Sequence, residues 1–152
     1  MRLTIVFLTI FFISCQNDSI YEKYYTFENN IWHTDTVVSF SFDIKDSLTN
    51  YETTLMIRHT TEYDYQNLFL FTKFSNIKDT LEIYLADKSG KWNGLGFGDV
   101  RELNIPFFTP KQLSVKNNSF HIEQAMRYAE KEKITNLKEI KAIGLRIRKS
   151  EK

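Results

Sequence analysis

The chain has 152 residues, enough for one domain with a real core, and 42% of them are hydrophobic and 15% aromatic. The formal net charge is +1 and no basic stripe dominates, which excludes a nucleic-acid footprint. A single cysteine excludes an intramolecular disulfide, and its place near the N-terminus leaves no thiol nucleophile in the folded body.

The first segment is a signal. Arg2 is followed by the apolar or Thr-containing run Leu3–Ile13, which as a helix would span about 16 Å, half of a hydrocarbon core. That is too short to cross and fits the apolar region of a signal peptide. Ser14-Cys15 closes it and resembles a bacterial lipobox, so cleavage after residue 14 would leave Cys15 at the new N-terminus, lipidated. Several acyl chains at about 0.8 kcal/mol per buried methylene make such an anchor effectively permanent. Residues 15–30 are polar with scattered Tyr and read as the lipidated cysteine plus a tether. One domain then occupies residues 31–152.

Strands follow. In "TVVSFSFDIKD", Val38, Phe40, Phe42 and Ile44 share one face, opposite Ser39, Ser41, Asp43 and Lys45. In "YETTLMIRHT", Tyr51, Thr53, Leu55, Ile57 and His59 alternate with Glu52, Thr54, Met56 and Arg58. "NLFLFTKF" is apolar on both faces, and "DTLEIYLAD" sets Leu81, Ile83 and Leu85 against Glu82 and Tyr84. Short polar turns separate these runs, which predicts antiparallel sheets in a sandwich or barrel. Residues 88–102 form a glycine loop, and "NIPFFTPKQLSVKNN" reads as irregular connection with a short strand. "FHIEQAMRYAEKEK" suits a helix by local propensity and a strand by partial alternation. Leu137 to Ile140 reads as a helical turn, and Ile143, Leu145 and Ile147 alternate as a last strand. The expected fold is an all-β, jelly-roll-like antiparallel sandwich with one short helical segment near the C-terminus.

The candidate chemistry is sparse. His33, His59 and His121 show no HxH, HExxH or CxxC spacing, so no metal site is expected and each histidine reads as structural. Asp64, Asp87, Asp99 and Glu102 lie in loops and could pair for glycoside hydrolysis, but nothing in the sequence pairs them. Four of the five glycines fall in "GKWNGLGFGDV". After Gly94 and Gly96, a dinucleotide fingerprint needs glycine where Asp99 stands, and no βαβ unit surrounds the stretch. The glycines therefore seat Trp92 in a turn, or Trp92, Phe97 and Asp99 form an exposed platform for a sugar or a protein. Tyr63 and Tyr65, flanking Asp64, either cover the sandwich end or form a contact surface. No catalytic residue and no cofactor is expected. Trp92, Asp99, Tyr63 and Tyr65 are the expected partner- or glycan-facing group. Short Asp-Ser/Thr-aliphatic patterns resemble O-glycosylation sites of Bacteroidetes envelope proteins and point to Ser19 and Ser47.

The lipobox, "YDYQNLFLF", "LADKSGKWNGLGFGD", "FHIEQAMR" and "IGLRIRK" together resemble the gliding-motility lipoprotein GldH family of Bacteroidetes. The resemblance implies an envelope lipoprotein linked to gliding and to the associated type IX secretion machinery. Expected partners are the membrane, through the lipid, and other envelope proteins of that machinery. It implies no catalytic residues, so a non-catalytic accessory or scaffold role is expected, and the expected location is the periplasmic face of the outer membrane. Family members look like single β-sandwich domains, which favours a strand for part of 119–127. A glycan-binding lipoprotein is the alternative.

Overall fold

The computed structural model describes residues 19–107, 113, 115–128 and 132–150. In chain order its strands are β1 (Ser19–Thr26), β2 (Ile31–His33), β3 (Val38–Phe42), β4 (Tyr51–Thr60), β5 (Asn67–Phe74) and β6 (Ile77–Tyr84), then β7 (Val100–Pro106), β8 (Asn118–Gln124), β9 (Arg127–Tyr128), β10 (Glu132–Lys133), β11 (Asn136–Lys138) and β12 (Ile140–Lys149). They form two four-stranded antiparallel sheets, ordered β1-β12-β4-β7 and β3-β8-β5-β6. Two-stranded ribbons of β2 with β11 and of β9 with β10 complete the all-β sandwich.

Period-two patterning decides which faces meet. Val38, Phe40, Phe42 and Ile44 are buried, as are Tyr51, Leu55, Ile57 and His59 from β4 and Ile143, Leu145 and Ile147 from β12. Fully burying each Leu, Ile or Phe contributes about 1.5–3 kcal/mol. Rings stitch the two sheets together: Tyr21 meets Phe42 at 5.2 Å between centroids, and Phe107 meets Phe120 at 4.8 Å. Trp32 is fully buried on β2, stacked on Phe27 at 4.7 Å, and its indole N–H donates to the Thr36 carbonyl (2.9 Å). Met56 keeps its outward face but is covered there. It is buried, and the Tyr24 hydroxyl donates to its sulfur (3.1 Å) from above the sheet.

Three segments differ from the sequence reading. Ser19–Thr26, read as tether, is an edge strand paired with β12 from Ser19↔Arg148 to Thr26↔Ala142. Its mixture of Tyr, Lys and Glu hides the pattern, because an edge strand with one covered face carries few aliphatic residues. The helical turn read at Leu137–Ile140 gives way to β11, the segment 119–127, open between helix and strand, is strand through Gln124 as the family resemblance favours, and the only helical element among the described residues is the 3-10 turn Glu28–Asn30. β8 lies between β3 and β5, so neighbours on both sides supply ladder hydrogen bonds that outweigh local propensity. Finally, β7 occupies part of what read as loop and irregular connection, paired with β4 from Val100↔Thr60 to Pro106↔Thr54. Pro106 ends it, where a missing N–H costs no ladder bond.

Register also fixes two ends. Ser19, Tyr51, Pro106 and Lys149 lie at one end of the first sheet, and Thr26, Thr60, Val100 and Ile140 lie at the other. At about 3.3 Å per residue, β1 alone separates them by about 23 Å.

Candidate functional site at the glycine-loop end

The connection from β6 to β7 carries the densest set of sequence-flagged residues, and it is a built structure. Asp87 opens it. Its side chain accepts from the Ser89 hydroxyl (2.6 Å) and from the N–H groups of Ser89 (2.8 Å) and Lys91 (3.0 Å). Those bonds, the Ser89 hydroxyl first, hold the carboxyl below its ordinary range. Trp92 bridges Ala86, and Asn93 ties back through its N–H to Leu85 (2.8 Å) and its side-chain amide to Tyr84 (3.0 Å). Leu95 then pairs with Glu102 by two backbone bonds, of 3.0 and 2.7 Å. The Asp99 carbonyl accepts from Thr61 N–H (2.7 Å), fastening the loop's end to the turn after β4.

Gly94 and Gly96 make this path possible. Gly94 has φ +85°, and a Cβ there would run into the Glu102 carbonyl; at Gly96 a Cβ would run into the Val100 carbonyl. Only a bare backbone can lie this close to β7. Backbone on the β7 side leaves the side chains between the glycines with nothing to cover them. Phe97 is 96% exposed and Leu95 82% exposed. Tyr84, at the end of β6 and tied by its carbonyl to Asn93, is also exposed.

The expected site residues divide. Trp92 is half-buried, its ring 4.9 Å from that of His59. Tyr63 is only 4% exposed, and its hydroxyl donates to the Asn67 carbonyl (3.1 Å). Burial pushes its phenol far above the usual range, so Tyr63 is a core residue and offers no surface. Tyr65 is half-buried edge-on to Tyr63 at 5.5 Å. Asp99 is exposed. The structure thus brings Trp92, Tyr63 and Tyr65 together around His59 as a base under the loop, and it leaves Asp99 and Phe97 outside. The sequence reading omitted Leu95 and Tyr84. The available signal was the alternation "GLGFG": a bulky apolar residue between two glycines has no neighbouring strand to pack against.

His59 is fully buried. Its Nδ1–H donates to the Thr60 carbonyl (2.8 Å), and Nε2 has no partner. Burial first, with the Arg101 cation adding to it against the Thr60 bond, holds its pKa below the ordinary value. Glu102 is engaged on the outer face of the sheet: Arg58 Nε–H donates to it, as does the Tyr24 hydroxyl (3.2 Å), and the Arg58 guanidinium sits 4.0 Å over the Tyr24 ring. Glu102 and Asp87 are therefore each committed to structural bonds. Among the described residues, no group of three or more His, Cys, Asp or Glu side chains is placed to hold a metal ion. His33 and His121 are exposed or half-buried, and His121 Nδ1 lies 2.8 Å from the Ser39 hydroxyl on the open face of the second sheet.

Ser47 is half-buried in the connection between β3 and β4, where Asp46 accepts from Leu48 N–H (2.8 Å) and the Thr49 hydroxyl (2.5 Å). Ser19 is half-buried at the start of β1. Cys15 lies outside the described residues. Among the described residues no helix is long and apolar enough to cross a membrane.

Comparison with known proteins gives a consistent result. The family described as GldH lipoprotein matches residues 19–147. A gliding motility lipoprotein GldH homolog from Christiangramia forsetii is 36% identical over 96% of this chain and 93% of its own length. Gliding motility lipoprotein GldH from Flavobacterium johnsoniae is 30% identical over 91% of this chain and 89% of its own length. Neither name describes a catalytic activity. No solved structure matches.

Proposed function

The chain belongs to the GldH lipoprotein family, and from that premise we propose that it is a non-catalytic component of the gliding apparatus and its associated type IX secretion machinery. Cys15 carries the lipid that holds it in the envelope, at the periplasmic face of the outer membrane. The loop end of the sandwich is offered to a protein partner.

One observation carries the contact surface. Phe97 and Leu95 stand almost wholly in solvent on a loop braced by its own hydrogen bonds. A braced loop presents apolar groups with little ordering entropy left to lose on binding, which is what makes an anchor residue effective. Asp99, two residues after Phe97 and exposed, supplies a polar rim. Trp92, turned toward His59, acts as the footing of this surface. That placement favours a protein partner over a glycan, since a sugar needs the open face of a large ring and Trp92 is half-buried.

The double variant Leu95→Ser/Phe97→Ser tests the reading in the native host. Both side chains touch solvent, so folding stability should stay within about 0.5 kcal/mol of the parent. Membrane retention should be unchanged, and recovery of crosslinked envelope partners should be lost. Full recovery of those partners by the double variant would overturn the assignment.

A further inference from the structure

The opposite end of the sandwich carries a second set of exposed apolar residues, and chain length says what lies under it. β1 begins at Ser19, so only Gln16, Asn17 and Asp18 separate the sheet from Cys15. Four residue steps reach at most about 14 Å at roughly 3.6 Å each. This inference rests on the lipid anchor proposed above. With an anchor that short, the Ser19 end of the domain is held against the bilayer to which the acyl chains belong.

What stands at that end is not an ordinary polar rim. Ser19 pairs with Arg148, and the next pair outward is Tyr51 with Lys149. The connection between β3 and β4 therefore projects past the point where the strap enters. At its crest Leu48 is 88% exposed, on a turn held by Asp46. In the second sheet the outermost pair is Phe74 with Ile77, and Ile77 is 54% exposed. The two sheets meet at this end, where Tyr21 of β1 touches Phe42 of β3 at 5.2 Å and Phe107 touches Phe120 at 4.8 Å, and the Ile44 N–H donates to the Val115 carbonyl (3.1 Å) and Asn117 N–H to Asp43 (2.9 Å) within the second sheet. Val115 and Ile20 are exposed at the same end. Lys45, Lys73, Lys78 and Lys116 lie at this end, all exposed and none in an ion pair among the described residues, interspersed with the exposed Asp43, Asp46 and Asp79. Apolar tips with lysines at the same end match a bilayer interface, where hydrocarbon enters the acyl boundary and ammonium groups meet phosphates.

We propose that Leu48 and Ile77, with Val115 beside them, dip into the bilayer surface as a second, non-covalent contact. The lipid chain and the loop tips together fix the domain upright, with the glycine loop pointing away from the membrane by at least the length of β1.

The test uses the full-length lipidated protein in phosphatidylethanolamine vesicles doped with phosphatidylglycerol and with lipid carrying a nitroxide on its acyl chain. The chain's one cysteine is the acylated one, so Leu48→Cys, Ile77→Cys and, as the far-end control, Phe97→Cys each provide a unique site for an environment-sensitive fluorophore. Leu48 and Ile77 are surface residues on separate connections, so a folding failure in one leaves the other readable. Emission from probes at 48 and 77 should shift to the blue and be quenched by the acyl-chain nitroxide, while the probe at 97 keeps its aqueous spectrum and full intensity. A blue shift without acyl-chain quenching, as a protein cover would give, overturns the proposal. So does quenching at 48 and 77 no greater than at 97. Labelled palmitate incorporation in the same preparation reads the anchor by itself: protein that carries acyl label yet shows no quenching refutes only the second contact, whereas protein without label refutes the anchor.

Discussion

Gly94→Ala is the sharpest test of the loop geometry. The substitution adds one methyl group and meets two obstacles. At φ +85° an L-residue bears a conformational cost of about 1–2 kcal/mol. The new Cβ also collides with the Glu102 carbonyl, which is backbone inside β7 and cannot turn away. Relief requires lifting the loop, and the loop is held there by the two Leu95–Glu102 bonds. Losing both costs a further 1–3 kcal/mol at about 0.5–1.5 each. The total is about 2–5 kcal/mol. Gly98→Ala isolates the first part: its φ is +64° but nothing lies within 4 Å of the added Cβ. It should cost only the conformational 1–2 kcal/mol, roughly. Urea denaturation of both variants, with midpoints and slopes compared against the parent, separates the two contributions. If Gly94→Ala and Gly98→Ala destabilise equally, the close approach to β7 is not a constraint and the account of the loop is wrong.

Two further expectations follow from buried and half-buried charge. His59 is held neutral by burial, so its pKa in the folded state lies below the unfolded value of about 6.5. The unfolded chain then binds more protons, stability is full above that pH, and it declines as pH falls through it. The stability difference between about pH 7.5 and about pH 5 should shrink in His59→Phe; an unaltered difference would show that another group carries it. Arg58 and Glu102 form a short pair, but the arginine is 43% exposed, so solvent screens it. A double-mutant cycle with Arg58→Met and Glu102→Gln should return no more than about 1 kcal/mol of coupling, and a value well beyond that would mean the Tyr24 ring shields the pair from water.

Much of the sandwich was legible because burial writes itself into alternation. β3 presents its apolar residues on one face and buries them, β4 buries Tyr51, Leu55 and Ile57 on the face that alternation marks, and in β6 the same pattern places Ile83 inward. The missed strands share a cause. β1 lies at a sheet edge, and β7 follows glycines and ends in proline, so neither carries a clean period-two signal. β8 was ambiguous because the ladder that decides it comes from β3 and β5, more than 45 residues away in sequence. At the site, sequence located the loop and the aromatics but not their depth. Tyr63 and Phe97 look alike in a list of residues; one is buried beside His59 while the other stands in solvent. Whether backbone or side chain faces the neighbouring strand decides that, and glycine's missing Cβ acts through contacts that local sequence does not contain.

The position of β12 reaches beyond packing to the order of assembly. It is the last described strand, yet it lies between β1, the first described strand, and β4. Until its residues are available, β1 has no partner and β4 lacks one side of its ladder. β4 can pair with β7 beforehand, but the first sheet is complete only once β12 is free to enter between β1 and β4, a long-range closure of the kind that slows folding. A stop ahead of Ile140 would therefore remove the centre of a sheet and not its fringe.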